Sequence, residues 1–61
     1  MIVADFFDAY DGHVLIMNTR CDVLWDTKVD PGIPPDIVMH RVQSVSFITE
    51  DDSDYALIVV A

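Results

Sequence analysis

This 61-residue chain predicts an α+β fold: one short N-terminal helix packed on a four-stranded antiparallel sheet made of two hairpins, with closure toward a small barrel as the alternative. Three observations predict it. Val3, Phe6, Phe7 and Tyr10 recur at the i, i+3, i+4, i+7 spacing of an amphipathic helix. Cys21 to Val29 alternates, with Cys21, Val23, Trp25, Thr27 and Val29 on one side and Asp22, Leu24, Asp26 and Lys28 on the other, as in a half-buried strand. The remaining β-rich stretches are separated by Asp-Gly, Asp-Pro-Gly and acidic turn signals.

The helix starts at Val3, where Asp5 near its beginning suits the helix dipole and Asp8 near its end opposes it. Gly12 is expected to end it as a left-handed cap. His13 to Asn18 reads as the first strand, Asn18 to Arg20 as a turn, and Cys21 to Val29 as the second strand. Asp30-Pro31-Gly32 signals a turn in which Gly32 is free to take a positive φ. Pro35 to Met39 reads as a single helical turn, because proline is tolerated at the first helical position. Arg41 to Thr49 and Tyr55 to Ala61 read as strands three and four around the acidic turn Glu50 to Asp54.

The expected core is Val3, Phe6, Phe7, Tyr10, Val14, Ile16, Val23, Trp25, Val45, Phe47, Leu57 and Val59. Leu15, Met17, Leu24, Val42, Ile48, Ile58 and Val60 then fall on the second face of the sheet. That is too much apolar surface to leave in water. Leu15, Met17, Leu24, Ile58 and Val60 are therefore the expected self-association residues, and a homodimer the expected assembly. Size points the same way. A chain of about 60 residues buries only about 60% of its unfolded surface and commonly needs a disulfide, a metal or oligomerisation. Cys21 is the single cysteine, so no internal disulfide can form.

Composition restricts function. Eleven acidic residues face three Lys and Arg, for a net charge of -8, yet 52% of residues are apolar. That is too apolar for a disordered acidic tail and too negative for nucleic acid or an anionic membrane surface. No run reaches the about 18 apolar residues of a membrane span, and Met1 to Asp8 lacks the basic start of a signal peptide. The expectation is a complete, single-domain cytoplasmic protein spanning residues 1–61.

Chemistry-bearing groups are sparse. His13, Cys21 and His40 lack the paired spacing of a zinc site, and Glu50 to Asp54 lacks the twelve-residue frame of an EF-hand. Asp22 and Asp26 project from one strand roughly 13 Å apart, too far for a glycosidase pair. No nucleophile–base motif surrounds Ser44, Ser46 or Cys21. The expectation is a protein with no cofactor, no metal and no enzymatic activity. It is expected to act by contact, with Asp22, Asp26, Glu50, Asp51, Asp52 and Asp54 imitating a phosphate array for a basic, nucleic-acid-binding protein partner. The alternative is an assembly module in which the apolar sheet face and Trp25 dominate.

The pattern V-x-D-h-h at Val3 to Phe7 (h, apolar) continues as HVLIMN, VLWDTKV, IPPDIV, VQSVSF and ALIVV. Across nearly the whole chain it resembles small acidic proteins encoded by phages and mobile elements of Gram-positive gut bacteria. The resemblance implies an accessory phage protein, a class that includes small inhibitors of host defence such as anti-CRISPR proteins. It carries no catalytic motif and assigns no functional residue.

Overall fold

Two short helical turns and four strands make up the chain in the computed structural model, which describes residues 1–61. In order they are α1 (Val3–Phe7), β1 (Val14–Asn18), β2 (Val23–Asp26), α2 (Pro35–Val38), β3 (Val42–Glu50) and β4 (Ser53–Val60). The α+β class and the helix-first order are as expected. The sheet is not antiparallel throughout and does not close into a barrel. Its order is β2-β1-β4-β3, and β1 pairs with β4 in parallel. The two expected hairpins are present, β1 with β2 and β3 with β4. The segment between them crosses to the far edge, so β4, not β3, lies beside β1.

Helix α1 is shorter than its apolar stripe. Asp5 Oδ2 accepts the Ile2 N–H at 3.0 Å, which ties down its first turn. Past Phe7 the chain tightens, with Ala9 N–H bonding the Phe6 carbonyl. Asp8 and Asp11 put negative charge where the helix already ends in unpaired carbonyls. Gly12 does not adopt a left-handed conformation, nor does Gly32. A Cβ at Gly12 would instead come within 2.7 Å of the Tyr10 hydroxyl, so a side chain there would displace the Tyr10 ring. At Gly32 the turn is held by Asp30 Oδ1 accepting its N–H at 2.9 Å.

The left-handed positions are Cys21 (φ 66°), Asp51 (φ 51°) and Asp52 (φ 63°). Cys21 therefore ends a turn and is not the first residue of β2. Asn18 organises that turn: its Oδ1 accepts the N–H groups of Arg20 and Asp22. At its other end β2 stops at Asp26, whose carbonyl accepts the N–H groups of Val29 and Asp30.

The core is small. Val3, Phe6, Val14, Ile16, Ala56, Ile58 and Val60 are its buried members, with Phe7, Tyr10, Leu24, Trp25, Ile33, Ile37, Val42 and Val45 packed against them. The faces of β4 are thus the reverse of those expected. Parallel pairing of Val14 with Ala56 and Ile16 with Ile58 fixes the phase, so Ala56, Ile58 and Val60 point toward the helices. Leu57 and Val59 lie on the other face with their neighbours Leu15 and Met17. A register shift between Ile16 and Met17 reverses part of β2 as well. Leu24 packs on the core, while Val23 is 58% exposed. Val42 pairs with Val60 and joins the helix side. Of the expected self-association residues, Leu24, Ile58 and Val60 therefore lie on the core side, and only Leu15 and Met17 lie on the second face of the sheet, together with Leu57, Val59 and Ile48. Phe47 faces the helix side as expected. It stays 70% exposed, because β3 is an edge strand and only the Phe6 and Tyr10 rings lean on it.

Candidate functional site

Strand direction decides which charges meet. Because β1 and β4 are parallel, the start of β1 and the β3–β4 turn lie at the same end of the sheet. β2 runs back toward that end and finishes there at Asp26. Asp11, Asp26, Glu50, Asp51, Asp52 and Asp54 are thereby gathered at one end of the strands, with Lys28 the single Lys or Arg among them. Arg20 and Arg41 lie at the opposite end, in the β1–β2 turn and just before β3. Asp22 also lies there, so the structure does not bring it together with the other expected contact residues.

Glu50 pairs with Ser53 across the two-residue turn Asp51-Asp52. Both turn residues have positive φ, the geometry of a type I′ hairpin turn. That turn favours Asn-Gly or Asp-Gly, and a second aspartate keeps the strain while adding charge. Asp54 is partly committed, accepting the Thr49 hydroxyl at 2.7 Å. Glu50, Asp51 and Asp52 are exposed.

Asp26 has a different role. His13 Nε2 lies 2.6 Å from its Oδ1, and their side chains are 25% and 28% exposed. A carboxylate can only accept, so Nε2 carries the hydrogen. The Lys28 backbone N–H also donates to Oδ1, at 2.9 Å. Burial works to raise the Asp26 pKa. The hydrogen bonds from Lys28 and His13, together with attraction to both groups, prevail and hold the carboxyl below its ordinary value. The His13 ring leans on Tyr55 at 5.2 Å between centroids. Asp26 is therefore a strand-end anchor whose carboxylate is engaged by the His13 ring and the Lys28 backbone. The sequence alone gave no sign of this pair, since thirteen positions separate them.

His13, Lys28, Glu50, Asp51, Ser53 and Tyr55 line an open depression of about 200 Å³. Cys21, exposed in the β1–β2 turn, and His40, exposed after α2, lie elsewhere. No three His, Cys, Asp or Glu side chains converge as metal ligands. His13–Asp26 is the one close contact of a carboxylate with a basic side chain, and no Lys or Arg lies within salt-bridge distance of a carboxylate. A more apolar hollow of about 370 Å³ lies along β2, beside Val23, Leu24, Trp25 and Val29. Trp25 is fixed there by its Nε1–H bond to the Asp30 carbonyl at 2.8 Å. No helix of the chain is long and apolar enough to cross a membrane. In comparison with known proteins, the chain matches no family model, no curated protein and no solved structure.

Proposed function

We propose that this chain is a non-enzymatic protein-interaction module of the cytoplasm whose acidic hairpin end engages a basic, nucleic-acid-binding protein. The observation that carries the reading is the polarised charge. Asp51 and Asp52 form the two-residue turn, Glu50 and Asp54 flank it on β3 and β4, Asp11 and Asp26 lie at the same end, and none is paired with Lys or Arg. Carboxylates gathered at one end of a sheet without Lys or Arg partners present a negative array, the complement of a phosphate-binding groove. The resemblance to phage and mobile-element proteins agrees with a host protein as partner and with inhibition as the outcome.

The test uses the immobilised chain and a heparin-purified fraction of nucleic-acid-binding proteins from bacterial lysate. A protein is expected to be retained at about 0.1 M salt and released at about 1 M, as the Debye length falls from about 10 Å to about 3 Å. Duplex DNA is expected to displace it. The double variant Asp51→Lys, Asp52→Lys is expected to lose it. Retention indifferent to salt and to the charge reversal, or no retention at all, refutes the reading.

A further inference from the structure

The two edges of the sheet are built differently. β2 is four residues long, carries a register shift, ends in Asp26 and lies between Asp22 and Lys28. Such features discourage edge-to-edge pairing. β3 is nine residues long, and from Val42 to Thr49 it has no charge and no proline. In a two-residue hairpin the flanking pair, here Glu50 and Ser53, exchanges backbone hydrogen bonds. Alternation then turns Ile48, Ser46 and Ser44 toward β4, while Val45, Phe47 and Thr49 direct their N–H and C=O groups outward. No turn or loop of the chain bonds these outward groups.

The free stretch is bounded at both ends. Met1 to Val3 covers the start of the edge: the Met1 carbonyl accepts the Val42 N–H, and Val3 N–H bonds the His40 carbonyl. The Asp51-Asp52 turn closes the other end. Phe47 lies near the middle. It is 70% exposed, yet it is already part of an aromatic cluster, 6.4 Å from Phe6 and 5.9 Å from Tyr10.

We propose that the β3 edge pairs antiparallel with the β3 edge of a second copy about a two-fold axis at Phe47, giving a continuous eight-stranded sheet. In this register Phe47 faces Phe47 of the partner subunit, and Val45 faces Thr49 of the partner subunit. About six backbone hydrogen bonds form across the seam. The free stretch of each copy fills that of the other, and the aromatic cluster runs through the axis. Charge also favours a second copy as the occupant. The edge is uncharged and gives a basic strand nothing to recognise, and an identical uncharged strand adds no repulsion at the seam. Asp51 lies four residues from the axis, so the two acidic turns sit about 27 Å apart, well beyond the about 8 Å screening length at physiological salt. This inference is independent of the acidic-end reading.

The register places Ser44, which is exposed, opposite Glu50 of the partner subunit. Sedimentation equilibrium from about 10 μM to about 1 mM is expected to show the mass rising from 6.9 kDa toward twice that value. Ser44→Lys creates two symmetric attractive pairs and is expected to tighten the dimer, whereas Ser44→Glu is expected to weaken it. Each change in Kd is expected to fall between about 2-fold and about 30-fold. Phe47→Lys sets two ammonium groups face to face and is expected to abolish the dimer with an unchanged circular dichroism spectrum. A monomer at every concentration overturns the proposal. So does a dimer that is unmoved by both Ser44 substitutions or shifts with the opposite sign. A dimer lost in Leu57→Glu but kept in Phe47→Lys assigns the contact to the uncovered sheet face and equally overturns it.

Discussion

Replacing Asp51-Asp52 with Asn-Gly separates stability from binding. Both aspartates have positive φ, at 51° and 63°. A left-handed conformation costs an L-residue about 1–2 kcal/mol, less for Asp and Asn, whose side chains bond locally. Glycine at position 52 removes that cost and returns about 0.5–1 kcal/mol of it through the greater freedom of the unfolded chain. Asparagine at position 51 keeps the favoured turn residue, and the pair removes two charges packed beside Glu50 and Asp54. The expected net gain is about 1 kcal/mol, or about 4–8 °C in Tm for a domain of this size. Thermal unfolding followed by circular dichroism measures it. The same double variant is expected to bind the heparin-purified proteins more weakly, because the projecting acids are reduced to Glu50 and Asp54. A lower Tm refutes the turn geometry as the source of strain. A stabilised variant that binds as well as the parent refutes the role given to these carboxylates.

Three further outcomes follow from the fold. Cys21→Gly, at φ 66° in an exposed turn, is expected to raise stability by up to about 1 kcal/mol in denaturant unfolding. Ile58→Ala, at a fully buried position, is expected to cost about 2–5 kcal/mol, while Leu57→Ala on the uncovered face costs clearly less. Equal losses in urea unfolding would contradict the phase of β4. Asp26 has a depressed pKa in the folded state, so its contribution to stability is present above its unfolded pKa of about 3.9 and is lost as pH falls through the lower folded value. The Tm gap between the parent and Asp26→Asn is accordingly expected to be wide near neutrality and to close below about pH 4.

Local structure was largely legible, because it depends on local chemistry. The Val3-Phe6-Phe7 stripe, the Pro35 turn and both hairpins follow from spacing and turn residues. Sheet order was not, because nothing local says whether β3 or β4 lies beside β1. One signal pointed to it. Ala56 to Val60 is apolar at every position, as suits a strand with a neighbour on each edge, and β4 is central although only its Ala56, Ile58 and Val60 face is covered. The same uniformity hid the phase. With no polar residue to mark an outside, Leu57 and Val59 could not be told from Ile58 and Val60 before the pairing with β1 was known. Of the expected contact residues, Glu50 to Asp54 were readable as a turn, and their neighbourhood with Asp11 and Asp26 required the parallel β1–β4 pairing. The His13–Asp26 pair depends on the β1–β2 register and was invisible to spacing alone.

Charge reversal at the two ends of the sheet tests the central claim most directly. Asp51→Lys with Asp52→Lys alters the acidic end, and Asp22→Lys alters the other. Retention of the heparin-purified proteins at about 0.1 M salt is expected to vanish for the first variant and persist for the second. Equal loss from both variants would mean that overall charge governs binding, and loss from Asp22→Lys alone would place the contact at the wrong end of the molecule.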